Sequence, residues 1–220
     1  MITNNDSLIR GCIFDLDGVV VDTARYHYLA WNRLARDLGF EFTVVNNERL
    51  KGVSRMSSLD ILLEIGGISF PDEEKQRLAS LKNEWYVNYI SKMTPAEILP
   101  GVMLFLRILK DNKIRIALGT ASKNAAMILK QIGLEKTFDC IIDGNLVTQA
   151  KPDPEVFLKA AAGLGLSPAL CVVFEDAIAG IEAAHRGGMR CIGVGKPDVL
   201  AKADKVIPGF VGLDFSLLSF

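Results

Sequence analysis

Histidine is nearly missing from this chain, with 2 among 220 residues, and its 4 cysteines stand far apart. Cys12, Cys140, Cys171 and Cys191 each lie among apolar neighbours, and their spacing matches neither a zinc ribbon nor a redox pair. They are expected as small buried hydrophobes of a reducing compartment. An excess of charge of one sign is also missing. The formal net charge of -1 gives no electrostatic pull toward nucleic acid or an anionic membrane, so any anionic ligand must be held locally. The longest apolar runs, at 11–14 and 169–174, are strand-sized and far short of the roughly 20 residues a membrane span needs. The polar opening MITNNDSLIR does not read as a secretion signal. A cytoplasmic protein is expected, with no membrane or nucleic-acid partner and, for want of an obvious apolar surface stripe, a monomer.

Half the residues are hydrophobic, enough for a sizeable core. Short apolar runs at 8–14, 114–118, 138–142, 170–174 and 191–194 read as buried strands. Between them lie helical patterns at 101–110, 124–132, 153–164 and 177–186, punctuated by Pro154, Gly133 and Gly187-Gly188. Strands alternating with helices predict an α/β fold, a Rossmann-like parallel sheet covered on both faces. From about residue 25 to 96 the alternation stops and only helical patterns appear. Ala30, Trp31, Leu34 and Leu38 fall on one helix face, and Leu78, Leu81, Trp85 and Tyr89 on another. The chain therefore divides into a core, 1–24 and 97–220, and an inserted all-helical cap, 25–96.

In an open parallel sheet, ligands bind beyond the carboxyl ends of the strands. Four polar clusters fall there: Asp15 and Asp17, then Thr120-Ala121-Ser122-Lys123, then Lys151, then Glu175-Asp176. Asp15 and Asp17 are two apart, so an extended chain turns both to one side, and Gly18 permits a sharp turn after them. Such a crowd of carboxylates needs a cation or a shared proton. With only oxygen ligands on offer, magnesium is the expected ion. Asp15 suits a nucleophile that accepts a phosphoryl group, Asp17 a general acid/base, and Thr120 with Lys151 would neutralise the transferring phosphate. Asp22 and Thr23 stand where a helix N-cap is expected, and His185 at a helix end reads as structural. The stretch 143–147 has no functional reading.

The motifs DLDGVVVDT, ALGTAS, KPDP and FEDAIAGIEAA, in that order, resemble those of the haloacid dehalogenase superfamily. The cap stretch LKGVSRMSS and the run ASKN look most like its sugar phosphomutases. The resemblance implies a four-helix cap and an exchange of phosphate between C1 and C6 of glucose through an aspartyl-phosphate. It implies magnesium held by Asp15, the Asp17 carbonyl and Asp176, with Glu175 nearby, and a transferring phosphate held by Thr120, Ala121 and Lys151. Lys51, Gly52, Arg55 and Ser58 in the cap, with Ser122, Lys123 and Asn124 opposite, match positions that contact the sugar phosphate. Thr23 would act as hinge and partner of Asp17, and His27 would lie near the acid/base. A mutase must bind a bisphosphate in two orientations, which requires a second anion site; Arg55 and Lys123 can supply it. A phosphatase of the same fold acting on hexose phosphates, or on other small phosphomonoesters, is the alternative.

Overall fold

A computed structural model describes residues 9–50 and 53–220. The first strand, β1 (Gly11–Phe14), is buried along its whole length, as a strand covered on both faces must be. After it come four helices, α1 (Ala24–Asp37), α2 (Val44–Glu48), α3 (Arg55–Gly66) and α4 (Asp72–Ile90). The chain then alternates through α5 (Val102–Asp111), β2 (Arg115–Gly119), α6 (Ala125–Ile132), β3 (Cys140–Ile142), α7 (Glu155–Gly163), β4 (Cys171–Glu175), α8 (Ile178–Arg186), β5 (Arg190–Val194) and β6 (Lys205–Ile207). The sequence pattern misses β6, which is three residues long and begins with a lysine.

Among the described residues all six strands are parallel, in the order β3-β2-β1-β4-β5-β6. The central β1 pairs with β2 on one side and β4 on the other, so the direction of winding reverses at its carboxyl end. Successive residues alternate between the two faces. Cys12 and Phe14 join one cluster with Val172, Phe174, Ile116 and Leu118, while Ile13 joins the opposite cluster with Ala117, Val173, Phe157 and Ile181. A third cluster lies within the cap helices, where Trp31, Leu34, Phe42, Leu59, Leu62 and Leu78 bury one another.

The chain enters and leaves the cap side by side. Val21 and Ile98 form an antiparallel bridge, Leu99 N–H donates to the Val20 carbonyl at 3.0 Å, and Asp22 N–H donates to that of Glu97 at 3.1 Å. Arg25 and the Tyr26 hydroxyl both reach Glu97, at 2.5 and 3.0 Å. Helix α4 carries Tyr86, Ile90 and then Met93 into the core cluster around Val19, Val20 and Phe14, which joins cap to sheet.

Candidate active site

Just past β1, the Asp15 N–H still donates to the Phe174 carbonyl, at 3.0 Å, so the catalytic-looking carboxylate is aimed by the sheet itself. The chain then turns tightly. Val20 and Val21 N–H groups donate to the Leu16 carbonyl at 2.9 and 3.1 Å, and Gly18 N–H to that of Val21 at 2.8 Å. Gly18 sits at φ +80°, and a Cβ there would overlap the Asp176 carboxylate, so glycine is required both for the turn and for the approach of Asp176, just past β4. The Asp17 N–H donates to Asp15 Oδ2 at 3.0 Å, and the Thr23 hydroxyl donates to Asp17 Oδ1. Thr23 occupies the N-cap position of α1 but makes no side-chain cap bond; its hydroxyl serves Asp17 instead. Burial foremost, and then the Asp15 charge, push the Asp17 carboxyl up to about 6 against the opposing Thr23 bond.

Lys151 lies between two acids. Its Nζ is 2.6 Å from Asp15 Oδ1 and 2.9 Å from Glu175 Oε2, and all three side chains are buried. Burial works against its charge, but Asp15 and Glu175 outweigh that and hold its pKa above the ordinary lysine range. The other Glu175 oxygen accepts the Ala177 N–H at 3.1 Å. A Cβ at Gly180 would overlap the Glu175 carboxylate, so this bare point of α8 makes room for the buried acid. Glu175 is pushed up to about 7, by burial first and Asp15 besides, while Lys151 pulls it down.

Asp15, Glu175 and Asp176 each place a carboxylate oxygen within 4.8 Å of the others. An all-oxygen donor set of this charge, with one buried acid already driven toward protonation, fits a hard divalent cation, which would relieve the repulsion.

After β2, Thr120 is buried, and its Oγ1 accepts the Ser122 N–H at 3.2 Å. Ser122 Oγ in turn accepts the Asn124 N–H at 3.4 Å, just before α6 begins. The unread stretch 143–147 braces this loop. Gly144 N–H donates to the Ser122 carbonyl at 3.2 Å and Asn145 Nδ2 to that of Lys123 at 3.0 Å, while a Cβ on Gly144 would overlap the Ala121 carbonyl. Asn145 is thus a support residue that local sequence could not reveal, because its partner belongs to another loop.

The cap supplies the facing wall. Arg55 opens α3, Ser58 follows buried one turn on, and both line a cavity of about 510 Å³ with Asp15, Asp17, His27, Ala121, Ser122, Lys123, Asn124, Lys151 and Asp176. Lys51 and Gly52 lie outside the described residues.

Sequence reading missed Lys82 altogether. This α4 lysine is 2% exposed, with its Nζ 3.0 Å from His27 Nδ1 and over the rings of Trp31 (4.4 Å) and Tyr86 (4.7 Å). The buried stripe of α4 is Leu78, Lys82, Tyr86 and Ile90; Leu81, Trp85 and Tyr89, which the helical spacing had marked, are only half-buried. A lysine amid an apolar i, i+4 series was the available signal. Burial foremost, and then repulsion from Arg55, bring Lys82 down to about 7, with Asp17 opposing. His27 is held well below its ordinary value by burial, Lys82 and Arg55 in that order, and its Nε2 stands 4.0 Å from Asp17 Oδ1. Lys82, His27 and Asp17 therefore form a file from cap to core.

Comparison with known proteins agrees with this architecture. The family model for haloacid dehalogenase-like hydrolases matches residues 9–188. A β-phosphoglucomutase of Bacillus subtilis is 43% identical over 96% of this chain and 94% of its own length. A phosphorylated carbohydrates phosphatase of Thermotoga maritima is 35% identical over 84% of each chain. The crystal structure of a β-phosphoglucomutase from Clostridium difficile superimposes with a TM-score of 0.91 at 45% identity, covering 96% of both chains. With its parallel sheet, its helical cap and its acids at the end of β1, this chain belongs to the haloacid dehalogenase-like hydrolase family.

Proposed function

We propose that the chain is a phosphomutase that interconverts β-glucose 1-phosphate and glucose 6-phosphate through an aspartyl-phosphate and β-glucose 1,6-bisphosphate. The observation that carries this reading is one cavity with cationic groups on opposing walls, Lys151 on the core side and Arg55 on the cap side. A bisphosphate needs both ends held, whereas removing a single phosphate does not. The mutase relatives, matched over nearly their whole length, support the same choice over the phosphatase.

In this reading Asp15, phosphorylated on a carboxylate oxygen, transfers its phosphoryl group to the C6 hydroxyl of β-glucose 1-phosphate, and Asp17 takes the hydroxyl proton. The bisphosphate turns end for end. Asp15 attacks the C1 phosphorus, the bond from phosphorus to O1 breaks, and Asp17 returns the proton to O1, releasing glucose 6-phosphate and restoring the aspartyl-phosphate. A group that must both take and give a proton works best with a pKa near the working pH, as Asp17 has at about 6. Thr23 and the neutral His27 orient it. Lys151, Thr120 and the Ala121 backbone hold the transferring phosphate, and Arg55, Ser58, Ser122, Lys123 and Asn124 the far end, with Lys51 and Gly52 contributing by resemblance. Magnesium, held by Asp15, Asp176 and the Asp17 carbonyl with Glu175 alongside, would screen the charge of phosphate against carboxylate. Residues 25–96 act as the cap over a core of 1–24 and 97–220, in a monomeric cytoplasmic enzyme.

The test is incubation with magnesium, β-glucose 1-phosphate and a trace of the 1,6-bisphosphate, following glucose 6-phosphate and free phosphate. Isomerisation with little phosphate release is expected. Phosphate release without isomerisation would replace the mutase with a phosphatase of hexose phosphates.

A further inference from the structure

Asn83 has no place in the chemistry above, yet it reaches across the cavity. It lies on α4, and its Oδ1 accepts a hydrogen bond from Asn124 Nδ2 at 3.1 Å. Asn124 is the N-cap residue of α6, at the end of the Thr120 loop, and both amides line the cavity. The other side-chain hydrogen bonds from cap to core described above, those of Arg25 and Tyr26 to Glu97, sit at the return linker, and the His27 contact with Asp17 is longer, at 4.0 Å. Asn83 is seven residues before Ile90, where α4 enters the core cluster, which places it about 10 Å further out along the helix. A bond at that distance from the linker resists opening, because there the walls must separate most.

We infer that Asn83 is a positioning residue that clasps the cap to Asn124 and thereby keeps water from the aspartyl-phosphate. The inference rests on the mutase reading, since a mutase must let a sugar hydroxyl, and not water, attack that intermediate. The bond is between neutral groups and part-buried, so it is weak enough to break at each turnover and strong enough to shift a closed–open equilibrium by several-fold. Its geometry also leaves donors over. An amide nitrogen carries two N–H groups, so Asn124 keeps one and Asn83 keeps both for a ligand in the cavity. With α4 held in this register, Lys82, one residue before Asn83, stays against His27.

The test uses Asn83→Ala, Asn124→Ala and the double variant in the full chain. Free phosphate released per isomerisation is expected to rise roughly three- to tenfold in Asn83→Ala, with the melting temperature held, and Asn83→Ala is expected to add nothing in the Asn124→Ala background. Small-angle scattering of the ligand-free protein reads the clasp without reference to substrate: Asn83→Ala should expand the radius of gyration. An unchanged partition together with unchanged scattering would overturn the clasp. So would Asn83→Ala and Asn124→Ala effects that simply multiply, or a fall in melting temperature that accounts for the lost activity. Failure of the wild-type protein to isomerise would instead sink the mutase reading, and the scattering comparison would still decide whether Asn83 holds the cap.

Discussion

Two lysines face the same cavity from opposite walls, both almost sealed from solvent, and their surroundings are nearly opposites. Lys151, on the core side, is clamped between Asp15 and Glu175, so it is a fixed cation, which suits the role proposed for it of neutralising the transferring phosphate. Lys82, on the cap side, meets an imidazole and two aromatic faces, and burial brings it down to about 7. Each arrangement is costly in its own way. Buried ion pairs lose much of their attraction to desolvation, and a buried amine away from acids gives up its proton near neutrality. The lysine of the core wall thus carries permanent charge, while that of the cap wall, behind the permanent Arg55, carries charge that an incoming anion can induce. In the proposed mechanism a bisphosphate that must reverse its orientation is served by that inequality, because the chemistry is assigned to the Lys151 end only.

The largest effect expected from breaking this contrast is that of Lys151→Met. It removes the cation proposed to face the transferring phosphate, and a loss of about a hundred- to a thousandfold in kcat is expected. It also strands two buried acids, at a cost of about 3–5 kcal/mol in stability near neutral pH. Glu175, already near 7, is then pushed higher still, so the folded state holds a proton that the unfolded chain has lost. Stability of this variant should therefore recover as pH falls toward the ordinary carboxylate range, which chemical denaturation across pH 4.5–7.5 would read. A flat profile would mean that Lys151 does not govern Glu175.

Lys82→Met comes next and works in the opposite sense. Between about 7 and the ordinary lysine value of 10.5, the unfolded chain binds a proton at this position that the folded one does not. Wild-type stability should accordingly climb through that window as pH rises, by a few kcal/mol at most. The variant should lose this slope and be the more stable protein near neutral pH, while isomerisation falls through a higher KM for the sugar phosphate. If the variant keeps the wild-type slope, the titration belongs to another group.

These contrasts also show where the sequence could be read and where it could not. Asp15, Asp17, Thr120, Lys151 and Glu175-Asp176 were legible because each follows an apolar strand, and a parallel sheet brings all strand ends to one rim. Two cap helices, α1 and α4, were legible from their spacing, and the number four came from the resemblance; α2 has five residues and α3 buries Ser58 among its leucines, so neither showed a clean apolar face. In α4 the apolar spacing admits two neighbouring stripes. The one rich in large hydrophobics, with Leu81, Trp85 and Tyr89, is the half-buried one, and this choice hid Lys82. Thr23 reads locally as a helix cap, and only the fold of the turn at Gly18 brings its hydroxyl to Asp17. Asn145 and Asn83 act on residues of other loops and helices, so no local pattern could announce them.

The smallest effect sharpens the contrast at the linker, where the charges are wet. Arg25 pairs with Glu97 at 2.5 Å, but its side chain is about half exposed, unlike either cavity lysine. An exposed pair gains little, because water screens it and two long side chains must be held still. Arg25→Ala should thus change kcat/KM by no more than about twofold, and about 0.5 M salt should erase even that difference by screening the pair in the wild-type protein. The backbone bonds that join Asp22 to Glu97 and Leu99 to Val20 would still define where the cap pivots. A larger loss that persists in high salt would mean that Arg25 acts through its stacking on the Tyr26 ring, 4.5 Å away, and so through packing at the pivot and not through charge.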